Sequence, residues 1–179
     1  MVTGFNAGGE VDGEKWRKYS DDTQRFKIEH PSNTEPKSSQ SGEPGLLFRA
    51  GFDFEQPFNK GTDSGTLKFR FQVSIWENTN QLSAEAWAGQ HFNPKLIQET
   101  HPTRLAGRKA LVLRASNLAW TSVNHVVADH DRIYELSHVD LAANKLLLSE
   151  AIRARWTAMF SRMLESFRLL PAVAESKSK

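Results

Sequence analysis

Between Leu67 and Trp76 the chain reads LKFRFQVSIW, with apolar and polar side chains alternating through Ile75. Leu67, Phe69, Phe71, Val73 and Ile75 share one face of an extended strand, and Lys68, Arg70, Gln72 and Ser74 take the other. Such a strand has one face to bury and one to hydrate, so it calls for a sheet covered on at least one side. Shorter segments repeat the pattern. Trp16–Tyr19 and Phe26–His30 flank an Asp21-Asp22 turn, with Pro31 ending the second, and Leu46–Ala50 reads as a further short strand. The period of two returns from Arg104, where Ala110, Val112 and Arg114 oppose Leu111, Leu113 and Ala115. Val123–Asp129 and Arg132–Val139 form a hairpin around His130-Asp131, a turn that pairs Asp129 with Arg132, Val127 with Tyr134 and His125 with Leu136.

Two segments carry the helical period instead. Ser83 is placed to cap a helix whose Ala84, Ala88, Phe92 and Leu96 follow at i+4 spacing, with Trp87 and His91 alongside. Asn93-Pro94 reads as a second cap and restart. From Ser149 to Glu165, Ile152, Trp156, Phe160, Met163 and then Phe167 trace a single apolar stripe, and Ser166–Leu170 closes the chain as a strand. Strands near 26–30, 67–76, 106–115, 123–129 and 132–139 are expected in one sheet, with helices near 83–98 and 149–165 packed on it. That is an α+β sandwich with a largely antiparallel sheet. The 179 residues suit one domain over 16–170, between a Gly-rich flexible tether at 1–15 and a flexible tail at 171–179. Pro31–Gly45 and Asn59–Gly65 read as surface loops.

The chemistry is sparse. The chain has no cysteine, which removes disulfides, a thiol nucleophile and Cys-type zinc or iron–sulfur sites. A net charge of +2 does not suggest a nucleic-acid partner. No apolar run is long enough to form a transmembrane helix. Nucleophile elbows, phosphate loops, dinucleotide fingerprints and HExxH do not occur. Asp21, Asp22, Glu85 and Glu99 fall in turns or on helix surfaces, where nothing would shift them toward acid–base work. Six histidines remain. The hairpin register puts His125 and His138 on one face, about 7–8 Å apart at Cβ. With Asp129 they form a candidate zinc or copper site; the alternative is a pair of sheet histidines beside a His130-Asp131 turn. Phe48, Phe52, Phe54 and Phe58 in LLFRAGFDFEQPF either line a binding groove or join the core. Trp76, Trp87 and Trp156 take core positions.

The order of these elements resembles the PsbP-like domains. WRKYSDDTQRFKIEHPSN at 16–33 is similar to that family's opening, although Ser32-Asn33-Thr34 stands where a further Trp commonly follows the Pro. SAEAW at 83–87, LAGRKA at 105–110, DHDRIYEL at 129–136 and FSRMLESFR at 160–168 resemble its middle helix, Gly-x-x-Ala strand, hairpin and closing segment. The resemblance spans about residues 16–170 and is closest to the bacterial PsbP-related domains, commonly exported proteins or lipoproteins. It implies an α-β-α sandwich and a non-enzymatic binding or scaffold role with a protein partner. It also implies a place outside the cytoplasm (periplasm, cell surface or thylakoid lumen), and a signal or lipid anchor removed ahead of Met1 would fit. It supplies no catalytic residues and no obligatory cofactor, and a monomer is expected. The alternative is a small-ligand or metal-binding module using the Phe48–Phe58 segment or the His125/His138 face.

Overall fold

The computed structural model describes residues 14–39, 42–60, 63–116, 120–143 and 148–171. Residues 1–13 of the expected tether and 172–179 of the expected tail lie outside these residues, while Glu14 pairs with Arg155 and the Lys15 carbonyl accepts from the Ser32 amide. The element order is β1 (Trp16–Asp21), β2 (Phe26–Pro31), β3 (Lys37–Ser39), β4 (Leu46–Lys60), β5 (Asp63–Glu77), α1 (Ala84–His91), a 3-10 turn (Pro94–Leu96), β6 (Ile97–Leu105), β7 (Arg108–Ser116), β8 (Thr121–Asp129), β9 (Arg132–Val139), α2 (Glu150–Ser166) and β10 (Arg168–Leu169). A seven-stranded sheet runs β3-β4-β5-β9-β8-β7-β6, and a three-stranded sheet runs β1-β2-β10. Every strand pairing is antiparallel.

Both helices start where their caps predict. The Ser83 side chain accepts from the Ala86 amide and the Ser149 side chain from the Ile152 amide. Asn93 caps the 3-10 turn with Pro94 at its first position. The helices then bury opposite faces of the large sheet. Trp87, Ala84 and Ala88 of α1 pack with Trp76, Leu111, Leu113, Val126 and Ile133. On the other face, Trp156, Met159, Phe160 and Met163 of α2 share a larger core with Phe52, Phe71, Val73, Tyr134 and Leu136. The small sheet joins that second layer through Phe26 and Ile28.

Three expectations change. The strand at 26–30 does not belong to the large sheet: β2 is flanked by β1 and β10, and its apolar side faces the same core as α2. Alternation shows which face a strand buries but not which sheet supplies its hydrogen bonds. The second change is β4, which is 15 residues long and pairs with β5 down to the hairpin tip. Gly51 and Pro57 read as breakers but are tolerated. A Cβ at Gly51 would lie 3.3 Å from the Arg70 side chain, which crosses that strand. Pro57 pairs with Thr66 beyond the short β3, where the outer edge of β4 has no described strand and a missing N–H interrupts no ladder. Third, the chain re-extends at Ile97, so α1 and its 3-10 turn end before the expected helix limit at 98. Edge strand β6 is exposed at most positions and carries Pro102, so it shows no alternation.

Candidate functional site

The β8–β9 hairpin has the expected register: Asp129 pairs with Arg132, Val127 with Tyr134 and His125 with Leu136. His130, at the turn, has a left-handed φ of 53°. His125 and His138 do meet, with ring centroids 5.9 Å apart and planes inclined by 28°. The rings stack rather than converge on a common point. His138 also stacks on Phe71 (6.1 Å, 10°) and lies 4.9 Å from Phe160. Its Nδ1 is 2.9 Å from the Val139 carbonyl. A carbonyl only accepts, so we assign the proton to Nδ1. Burial pushes the His125 pKa down to about 4, with the positive charge of His138 and His101 adding to the effect. Burial lowers His138 as well.

Asp129 does not reach this pair. It lies four strand residues from His125, about 13 Å along the chain, and its Oδ1 is 2.8 Å from Arg108 Nη2. Among the described residues, no group of three His, Asp or Glu side chains is placed to hold a metal ion. His125 instead lines an open cavity of about 560 Å³ with Arg104, Leu105, Leu164, Glu165 and Arg168. The phenylalanine segment divides differently from a groove. Phe48, Phe52 and Phe54 are buried in the main core, Phe52 between Tyr19 (6.1 Å) and Phe71 (6.4 Å) and Phe54 against Trp156 (5.3 Å). Phe58 is half-buried near the β4–β5 tip.

The sequence reading passed over the opposite face of the sheet. Gln72 on β5 pairs with Ser137 on β9, and Ser137 with Asn124 on β8, so three polar side chains form one transverse row. Ser74 and Glu135 pair in the next row, and Ser122 lies two residues before Asn124 on the same face. α1 covers the apolar end of this face, and the Ser74–Glu135 row is buried beside it, so only the Gln72–Ser137 part of the polar rows is partly exposed. Ser74 is fully buried, Asn124 is 3% exposed and Glu135 7% exposed, whereas Trp120, just before β8, is 48% exposed. Gln72, Ser122, Asn124, Ser137 and Trp120 line a groove of about 320 Å³, with Lys68 and Arg70 at its margin.

The charges around this face are internally compensated. Arg70 grips Asp53 through Nε (2.6 Å) and Nη2 (3.2 Å), and Lys37 Nζ reaches the same carboxylate at 3.0 Å. The Arg70 hydrogen bond is the largest cause that holds Asp53 down at about 2. Lys68 lies 3.6 Å from Glu55. Burial raises Glu135, against the Trp76 indole that donates to its Oε2 at 2.9 Å. That carboxylate belongs to the α1 cluster, where His91 stacks on Trp87 at 4.2 Å and meets Trp76 at 4.3 Å. The sequence signal for the open face was the polar half of the strand alternation. Read strand by strand, it looks like ordinary solvated surface.

Among the described residues, no helix is long and apolar enough to cross a membrane. No family model matches the chain, and no curated protein matches its sequence. Its fold is similar to the solution structure of cyanobacterial PsbP (CyanoP) from Synechocystis sp. PCC 6803, at 11% identity, with 90% of this chain and 96% of that one covered and a TM-score of 0.55. A crystal structure from Bacteroides thetaiotaomicron VPI-5482 also matches, at 11% identity over 87% of this chain and 48% of that one, with a TM-score of 0.44. The likeness to CyanoP shows that this chain has a PsbP-like α+β fold.

Proposed function

We propose that this protein is a non-enzymatic binding module whose working surface is the open polar face of the seven-stranded sheet. The observation that carries the reading is the transverse row Gln72–Ser137–Asn124, which lines a groove beside the half-exposed Trp120. Polar side chains are held in fixed register there on central strands, a rigid and already formed surface of the kind that recognition uses. The shifted titratable groups support binding over catalysis. His125 and His138 stack on each other and on Phe71, and Glu135 is held by an indole, so the shifts follow from burial among rings rather than from pairing with a nucleophile. The PsbP-like fold agrees with a binding role, and the resemblance noted in the sequence adds export from the cytoplasm. Fractionation of the source cells tests that part: the protein is expected outside the cytoplasm, and a purely cytoplasmic pool contradicts it.

Site-specific photo-crosslinking tests the surface. A diazirine side chain is placed at Gln72, or at Thr157 on the exposed side of α2 as a control. In cells that make the protein, position 72 is expected to give a discrete adduct and position 157 none. An adduct confined to 157, or none at either position, overturns the reading.

A further inference from the structure

We propose that the groove on the open sheet face binds a neutral saccharide; the proposal rests on the reading of this face as the binding surface. A pyranose presents a C–H face without strong dipoles and a rim of hydroxyls, each both donor and acceptor. The groove matches both parts. Trp120 lines it with its side chain 48% exposed, a flat apolar surface on which a sugar ring can stack. Gln72, Asn124, Ser122 and Ser137 supply amides and hydroxyls, the side-chain groups that both donate and accept.

These groups are pre-oriented. Gln72 Nε2 donates to Ser74 Oγ at 3.0 Å, and Asn124 Nδ2 donates to Ser122 Oγ at 3.0 Å. The two amides are thereby tied to neighbouring hydroxyls on the same face. Asn124 is 3% exposed, so its hydrogen-bonding capacity is concentrated at the floor of the groove. At about 320 Å³ the groove is near the lower end of the roughly 300–1,000 Å³ typical of small-molecule sites.

Charge selects the neutral ligand. Arg70 is engaged in two hydrogen bonds by Asp53, and Lys68 sits beside Glu55, so the cations at the margin are already balanced and offer little to an anion.

The test uses purified full chain and a panel of neutral tetrasaccharides (cello-, malto-, manno- and chitotetraose), with tetragalacturonate as the acidic comparison. Binding is read by saturation-transfer NMR and by quenching of tryptophan fluorescence. At least one neutral member is expected to bind, and Trp120→Ala and Gln72→Ala are each expected to weaken it tenfold or more. Both positions lie at the surface of the groove, and circular dichroism checks that the variants remain folded. Three results overturn the proposal: no neutral member binds, tetragalacturonate binds tenfold tighter than any neutral member, or neither variant changes the affinity. A protein adduct from the crosslinker at Gln72, together with no saccharide binding, leaves the face as a binding surface and removes the sugar. No adduct at position 72 in cells removes the broader reading independently of the panel.

Discussion

Replacing Trp156 by alanine is expected to destabilise the fold by about 3–5 kcal/mol, the range for truncating a large aromatic in a packed core. Trp156 is 4% exposed and sits midway along α2. Its ring lies 5.3 Å from Phe54, 5.4 Å from Phe69 and 6.0 Å from Phe160, joining the helix to β4 and β5 at once. Its Nε1 also donates to Gln56 Oε1 at 3.1 Å, so the truncation leaves both a void and an unmet acceptor. The neighbouring Thr157→Ala, on the exposed side of the same turn, is expected to stay within about 0.5 kcal/mol. Denaturant melts decide it. A loss below about 1 kcal/mol for Trp156→Ala means that the ring does not hold α2 to the sheet.

The burial of His125 is expected to make acid weaken the fold between about pH 6.5 and pH 4. Its folded pKa is about 4 against an ordinary 6.5. Within that window the unfolded chain binds a proton that the folded chain refuses, so stability falls as pH falls. At 1.36 kcal/mol per pKa unit the full window is worth up to about 3 kcal/mol. His138, also lowered by burial, acts in the same direction. The groups facing His125 include His101, His138 and, across the cavity, Arg104, Arg168 and Glu165. Asp53 contributes outside this window: its pKa is lowered from 3.8 to about 2, so its stabilisation fades only in stronger acid. Melts from pH 7 to 4 are expected to show a shallower slope for His125→Gln than for the parent. Glu135, raised by burial, acts in the opposite direction, so the comparison with the variant decides: an equal slope contradicts the burial of a neutral imidazole.

What could be read from the sequence tracks how locally each feature is determined. The face of β5 was legible because Leu67 through Ile75 alternate strictly, and the β8–β9 register was legible because a two-residue turn fixes every pair above it. The caps at Ser83, Asn93 and Ser149 are likewise local. β6 was hidden because an exposed edge strand needs no apolar face, and QETHPTR offers none. The extent of β4 was hidden by Gly51 and Pro57, whose tolerance depends on Arg70 and on where β3 stops. The His125/His138 contact was foreseen. Its chemistry was not, because Phe71 and Phe160 arrive from other elements and turn the pair into part of an aromatic stack. The open polar face was the hardest to see: Gln72, Ser137 and Asn124 are far apart in sequence, and only the strand order β5-β9-β8 makes them a row.

Radical footprinting of the purified protein, with and without an extract of its source cells, shows whether the open sheet face is the working surface. Trp120 is expected to be labelled in the isolated protein, while Trp76, Trp87 and Trp156 stay protected. Adding the extract is expected to protect Trp120 and the peptide carrying Gln72 and to leave α2 unchanged. Protection that falls on α2, with Trp120 still labelled, would contradict the assignment of the open sheet face as the working surface.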